Sequence, residues 1–336
     1  MASSDSEIRL RSSARTSIGQ VRENNEDTVQ LWANDDYVLA VVADGMGGAV
    51  AGEEASRIAV EAVQQEIVVP AKDDPLQALN DDMIVEKLCD SIRVANMNIV
   101  KRATANPEMR GMGTTITLAL VRSTNAIVAH VGDSRAYLVD SGSRRITQIT
   151  ADHTFVEALV AAGHLTPEQA SEHPMRNVLY RALGQHEDVE VDIYEAHLRA
   201  GDRLVLCSDG LTRHVKPGEI AWIVSDATDP DSASDKLIAL ANERGGEDNV
   251  SVIIVSLDGI TPEKPIAQND AFFDDEDTIQ LKDPRVADAI EAAIRDAGLD
   301  PDKTLKINNM LDQMECCADR PVTVGVEGRD TFWWNR

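Results

Sequence analysis

The chain has 336 residues, a formal net charge of −26, and 43% hydrophobic but only 4% aromatic residues. Its length exceeds the ~100 to 200 residues of a typical domain, so one large domain with an appendage, or two domains, is expected. The acidic balance, without any Lys/Arg cluster, excludes nucleic acid as a partner, because a phosphate backbone needs a basic stripe; acid-rich clefts suit cations.

Four cysteines, Cys89, Cys207, Cys316 and Cys317, show neither a Cys-x-x-Cys pair nor zinc spacing with histidine, the pattern of a reducing cytoplasm. Cys207 lies in an apolar run and reads as core. The first residues lack the apolar segment of a signal peptide, and no run approaches the ~18 apolar residues of a membrane span. The expectation is a soluble, cytoplasmic protein.

Residues 1–16 are polar and predicted to be disordered. Residues 18–27 form a polar turn with Arg22 five residues ahead of Asp27, and residues 28–31 read as the hairpin partner of the next strand. That strand, Val-Leu-Ala-Val-Val-Ala from Val38, is short and apolar, so it reads as buried on both faces; Gly45-Met46-Gly47-Gly48 ends it and leaves Asp44 at the rim of a core. Taken alone, the stretch fits an Asp-capped turn as well as a metal site.

Apolar residues at three- and four-residue spacing over 51–69 predict an amphipathic helix ended by Pro70, and a second helix over about 75–105 carries a break near Asp81-Asp82. Residues 111–121 and 126–139 are β-rich, with 122–125 as a hairpin loop, and the second stretch places Asp133 in a turn with Gly132. Over 150–184 the pattern turns helical, with a capping box at Thr166-Pro167-Glu168-Gln169. His153, His164, His173 and His186 lack ligand spacing and read as surface or packing residues. Residues 203–211 repeat the apolar strand, Asp209 and Gly210; a helix over 232–244 follows, and Asp248 precedes the strand from Val250.

Asp44, Asp133, Asp209 and Asp248 thus stand at strand ends, with Asp27 beside a fifth. Carboxylates are rarely buried unless paired or bound to metal, so their convergence on a hard cation is the economical account. Mg²⁺ or Mn²⁺ fits an all-oxygen donor set, and two ions ~3.5 to 4 Å apart would make a nucleophile of water near neutral pH.

Six motifs in order carry a family resemblance over residues 17–257: Gly-x-x-Arg-x-Asn-x-Glu-Asp with Arg22 and Asp27, Asp-Gly-Met-Gly-Gly from Asp44, Gly-Thr-Thr at Gly113, Gly-Asp-Ser-Arg from Gly132, Ser-Asp-Gly from Ser208, and Glu-Asp-Asn from Glu247. Together they resemble the bacterial branch of the metal-dependent serine/threonine protein phosphatases of type 2C. The resemblance implies an α+β fold: a four-layer α-β-β-α sandwich of two antiparallel sheets flanked by helices, with a small helical flap over 150–184 and a C-terminal extension.

It also implies a catalytic domain over 17–258 that hydrolyses phosphoserine and phosphothreonine in proteins, opposing a cognate serine/threonine kinase. Asp44 would bridge two ions, the Gly45 carbonyl would bind one of them, and Asp209 and Asp248 would complete the first ion's shell. Glu26 and Asp27 would lie in or next to the second ion's shell, Asp133 with Asp209 would hold a weaker third ion, and Asn177 stands where relatives place a polar residue directed at that ion. Arg22 would grip the substrate phosphate with its fork of donors. Met46 stands where many eukaryotic members carry a proton-donating histidine, so water would protonate the leaving oxygen here.

Two rival readings are separable. An aspartate-nucleophile phosphatase of the haloacid dehalogenase type needs an Asp-x-Asp pair, and Met46 stands two residues after Asp44. A pseudo-phosphatase, a phosphoprotein-binding or regulatory module without turnover, would show lost ligands, and none of the expected ones is lost. Beyond the resemblance, 259–282 reads as an acidic linker and 283–336 as a small, mainly helical extension that packs on the domain or docks a protein partner.

Overall fold

A computed structural model describes residues 8–70 and 76–259. Among these, two antiparallel sheets stack face to face. One has the strand order β1 (Ile8–Ser17), β11 (Val250–Gly259), β10 (Asp202–Cys207), β7 (Arg135–Asp140), β8 (Arg145–Gln148). The other runs β2 (Asp27–Ala33), β3 (Tyr37–Met46), β5 (Ile116–Arg122), β6 (Asn125–Val131), β9 (Asp192–His197), with the two-residue β4 (Gly113–Thr114) beside β3.

The alternation of β3 shows why the apolar run is continuous. Leu39, Val41 and Ala43 pack against α1 (Ala49–Val63) and α2 (Asp81–Ala105), whereas Val38, Ala40 and Val42 pack against the opposite sheet. Each fully buried aliphatic side chain contributes about 1.5 to 3 kcal/mol, so both faces of this strand are strongly specified. On the far side, α6 (Pro217–Asp226) and α7 (Pro230–Glu243) cover Val205, Cys207, Val252 and Ile254. The result is the expected four-layer α-β-β-α sandwich.

Several local expectations hold and several are corrected. The helix after Gly48 ends in a π-helical turn, Gln64–Val68, before Pro70. The second long helix begins at Asp81 with the Asn80 side chain accepting from the Met83 N–H, so the acid pair is its first turn and not a break within it. Asp81 and Asp82 there suit the positive end of the helix dipole. The hairpin loop is shorter than four residues, since Arg122 pairs with Asn125 and Ser123 takes φ 54.

The expected disordered start is wrong for its second half. Residues Ile8–Ser17 pair antiparallel with all of β11, from Ile8 opposite Gly259 to Ser17 opposite Val250. The polarity that suggested disorder belongs to an edge strand: Leu10 and Ala14 pack on the inter-sheet core, while Arg15 pairs outward with Asp231 and Asp235. Gly259, expected to open the linker over 259–282, is instead the last residue of β11, opposite Ile8; residues 1–7, the rest of that linker, the extension over 283–336 and Cys316-Cys317 lie outside the described residues. Cys89 and Cys207 are buried free thiols. Among the described residues no helix is long and apolar enough to cross a membrane.

The flap carries α3 (Phe155–Ala161) and α4 (Pro167–Ser171), the latter opened by the expected capping box between Thr166 and Gln169. Phe155, Val156, Met175 and Tyr180 give it a small core of its own.

Candidate active site

Strand periodicity delivers the acids to one end of the inter-sheet layer. Asp27 is the cross-strand partner of Asp44, and each continues the side of its strand that faces the other sheet, behind Val29 and Val42 respectively. From the opposite sheet the same face ends in Ser208 after Leu206 and in Ser251 before Ile253. These two hydroxyls both donate to Asp27 Oδ2, at 2.8 and 2.6 Å. Asp27 is therefore a clasp between the sheets, a role that its motif alone does not reveal.

The backbone around Asp44 is fixed by hydrogen bonds. Its carbonyl accepts from the Thr115 N–H and the Thr114 hydroxyl, both at 2.8 Å, and its N–H donates to Thr115 Oγ1 at 3.0 Å. The Gly45 N–H donates to the Glu26 carbonyl at 3.1 Å. Gly45 must be glycine because a Cβ there would lie 2.1 Å from the Gly52 carbonyl oxygen. The Asn249 side chain ties the loop before β2 to β11, accepting from Glu26 N–H at 2.7 Å and donating to the Ile18 and Asn24 carbonyls.

Asp133 follows Gly132 (φ 118) where the chain crosses from one sheet to the other. Behind it, Gly132 N–H donates to His153 Nδ1 at 3.0 Å, which leaves His153 Nε2 to donate to Asp192 Oδ2 at 3.1 Å. Arg181 Nη1 donates to the other Asp192 oxygen at 2.7 Å. Burial holds the rings of His130 and His153 below the usual histidine range, His130 down to about 3. His153 is thus the buried packing residue that its spacing suggests.

The acids at the front are in a different state. Burial, reinforced by the charges of Asp27, Asp209, Asp133 and Asp248, pushes the Asp44 carboxyl well above the carboxylate range. Burial raises Asp27 to about 7 despite its two serine donors, and raises Asp133 with help from Asp209. Asp209 is raised by burial against the pull of Arg213. The buried Asp27 Oδ1 has no hydrogen-bond partner. An orphaned carboxylate oxygen beside further acids that resist ionisation fits a divalent cation bound through oxygen.

Two guanidiniums reach into this cluster. Asp248 Oδ2 accepts from Arg22 Nη2 at 2.9 Å and from Arg213 Nη1 at 3.0 Å, and Arg213 Nη2 also pairs with Asp209. Arg22 is half exposed and lies 3.9 Å from Glu26 Oε1. Among the described residues no three Asp, Glu, His or Cys side chains are already grouped closely enough to chelate one ion. Asn177 is exposed on the flap and makes no side-chain hydrogen bond among the described residues, so nothing ties it to the acids.

Sequence reasoning missed Ser251, the His153–Asp192–Arg181 group and Arg213. Ser251 could be found from alternation along β11, and Arg213 from its position four residues after Asp209 on a helical turn.

A two-sheet sandwich with a cation-seeking acid cluster at one end defines the class of molecule. Residues 16–260 match the model of the family described as protein phosphatase 2C. The chain belongs to that family. It is 37% identical over 245 residues to the serine/threonine phosphatase stp of Listeria monocytogenes, covering 73% of this chain and 94% of that one. It is 40% identical over 252 residues to the serine/threonine protein phosphatase PstP of Mycobacterium tuberculosis, 74% of this chain and 45% of that one. A crystal structure of the M. tuberculosis phosphatase matches with a TM-score of 0.65 at 39% identity, covering 74% of this chain and 99% of that one. The PstP catalytic domain in complex with two manganese ions matches with a TM-score of 0.64 at 37% identity, covering 75% and 99%.

Proposed function

We propose that the chain hydrolyses phosphoserine and phosphothreonine in proteins by a metal-assisted attack of water, and so opposes a serine/threonine kinase in the cytoplasm. The observation that carries this reading is the orphaned Asp27 Oδ1 among carboxyls held above their usual range at the mouth of the inter-sheet layer. Asp44, the Gly45 carbonyl, Asp209 and Asp248 would hold two divalent ions, Mn²⁺ or Mg²⁺, with Asp27 and Glu26 next to them and Asp133 toward any third. When bound, such ions supply Lewis acidity toward the phosphoryl oxygens and acidify a water.

The chain's own residues do the rest. Ser208 and Ser251 hold the Asp27 carboxylate between the two sheets, and Thr114 and Thr115 fix the backbone that carries Asp44, so little reorganisation is needed. Arg22, half exposed beside Asp248, offers two parallel N–H donors to the phosphoryl group and neutralises charge on it. Water attacks phosphorus, the ester P–O bond breaks opposite, and the serine or threonine oxygen leaves with a proton from water, because Met46 has none to give. Asn177 would act from the flap by a movement toward the acids.

Release of phosphate from a phosphothreonine peptide tests the proposal. Turnover with Mn²⁺ that EDTA abolishes supports it. No turnover by a folded chain that binds Mn²⁺ overturns it and leaves a phosphoprotein-binding module.

A further inference from the structure

The mouth of the acid cluster carries apolar side chains turned to solvent. Val21 and Val50 are each 65% exposed, more than any other large apolar side chain among the described residues. A single exposed valine needs no explanation, but these two are brought together. Arg22 Nη1 lies 3.9 Å from Glu26 Oε1, and the other Glu26 oxygen lies against Gly52, where an added Cβ would collide with it. Val21 adjoins Arg22, and Val50 stands two residues before Gly52 on the first turn of α1. One valine therefore stands on each side of Glu26, the first with the arginine and the second with the helix.

Neither valine is exposed because its segment is loose. Gln20 N–H donates to the Gly246 carbonyl at 2.7 Å, and Asn249 Nδ2 donates to the Ile18 and Asn24 carbonyls, each at 3.0 Å. Gly19 (φ 83) packs so closely that a Cβ there would collide with the Asp248 carbonyl oxygen. Asp248 Oδ2 accepts from Arg22 at 2.9 Å and from Arg213, at the end of the short helix α5 (Asp209–Thr212), at 3.0 Å, which fixes the arginine beside Val21. Val50 is held by α1, whose Gly52 N–H donates to the Gly48 carbonyl at 2.8 Å. Rigid apolar surface binds a side chain without paying to order itself. Around it Glu23, Glu53 and Glu247 are exposed and repel a further acid.

In an extended peptide, side chains two positions apart share a face and lie ~7 Å from one another. With a phosphate on Arg22, the side chains two before and two after the phosphorylated residue are those that meet this rim. We infer that Val21 and Val50 select the substrate: a phosphothreonine or phosphoserine with an aliphatic side chain two positions away and no acid there. The inference rests on the phosphatase reading above and names the substrate class of that same site.

The test is kcat/KM of the full-length chain with Mn²⁺ on three phosphothreonine peptides that differ only at the positions two before and two after the phosphothreonine, occupied by leucine, serine or glutamate. The expected order is leucine, serine, glutamate, with leucine about tenfold over serine, the lower end of what one apolar contact gives. The leucine-to-serine ratio should fall to about one in Val21→Ser combined with Val50→Ser, and stay near tenfold in Val69→Ser, which alters an exposed valine beyond the other end of α1. Because the readout is a ratio within one enzyme, a general loss of activity does not move it. A ratio near one in the wild type, or a tenfold ratio that survives in the double variant, overturns the inference and leaves the phosphatase reading intact. No turnover of any of the three peptides overturns both. Should the double serine variant fail to fold, Val21→Thr combined with Val50→Thr makes the same comparison.

Discussion

Two polar clusters share the turn at Gly132 and Asp133, and they are built in opposite ways. Behind the turn, Asp192 receives His153 on one oxygen and Arg181 on the other, and burial works against its ionisation while the His153 bond and the Arg181 charge hold it below the usual carboxylate range. In front of the turn, Asp44 and Asp133 face other acids, and Asp27 keeps an unpartnered oxygen. Both clusters lie in the same low-dielectric interior, where an unpaired polar group costs about 1 to 3 kcal/mol and an unpaired charge more. The rear cluster is satisfied by the fold, whereas the front one, even with Arg22 and Arg213 on Asp248 and Asp209, keeps an orphaned Asp27 oxygen and acids that resist ionisation.

The difference can be broken by substitution. Asp209→Asn is expected to lower phosphatase activity by roughly 10³-fold or more, beyond the 10- to 100-fold typical of residues that only support a metal ligand. The same variant, measured in EDTA, should be at least as stable as the wild type to urea, since a repelling acid has gone. Asp192→Asn should show the reverse pattern: a loss of about 3 kcal/mol in stability, as for a broken buried ion pair, with metal stoichiometry unchanged. If Asp192→Asn were harmless and Asp209→Asn unfolded the apo chain, the contrast would be mistaken.

Acid sharpens the comparison from the rear side. His130 is fully buried and its folded value lies near 3, against about 6.5 when unfolded, so only the unfolded chain takes up a proton between these values. Its contribution to stability is therefore whole above about pH 6.5 and is lost progressively toward pH 3, at up to about 1.4 kcal/mol per pH unit. The His130 ring resonance should accordingly stay that of a neutral imidazole from pH 8 to 5 in an NMR titration. A ring that titrates near 6.5 would show that the rear cluster is open to water.

The smallest expected effect concerns the front wall. Alanine in a helix normally gains about 1 kcal/mol over glycine. At Gly52, however, the added Cβ would lie 1.9 Å from Glu26 Oε2 and 2.9 Å from the Gly45 carbonyl carbon. Gly52→Ala should therefore destabilise by about 1 kcal/mol instead, read as a lower urea midpoint.

What was legible in the sequence follows the same division. The buried strand ending at Asp44, its pairing with residues 28–31 and the capping box at Thr166 rest on local signals, a period and a spacing, and all three are present. The order of six motifs gave the family and the sandwich. The Ile8–Ser17 strand was hidden because this edge strand meets α7 through Ser13 and Arg15 rather than through apolar side chains, and so has the polarity of a tail. Arg213, Ser251 and the His153 group were hidden for another reason: although alternation and the four-residue spacing to Asp209 mark the positions of Ser251 and Arg213, their meetings with Asp27 and Asp248, like that of His153 with Asp192, join residues more than thirty positions apart, and no local pattern encodes such a meeting.

The most direct test of the account is the thermal midpoint of the full chain in EDTA and in saturating Mn²⁺, for the wild type and Asp44→Asn. If the front cluster is completed by divalent ions, Mn²⁺ at about 100 times its Kd stabilises the wild type by about 2.7 kcal/mol, a rise of roughly 5 °C or more. Asp44→Asn should start higher in EDTA, relieved of a repelling charge, and respond little to Mn²⁺. A wild-type midpoint that ignores Mn²⁺, with Asp44→Asn melting lower in EDTA, would mean that the acids are held by the fold after all and would contradict the account.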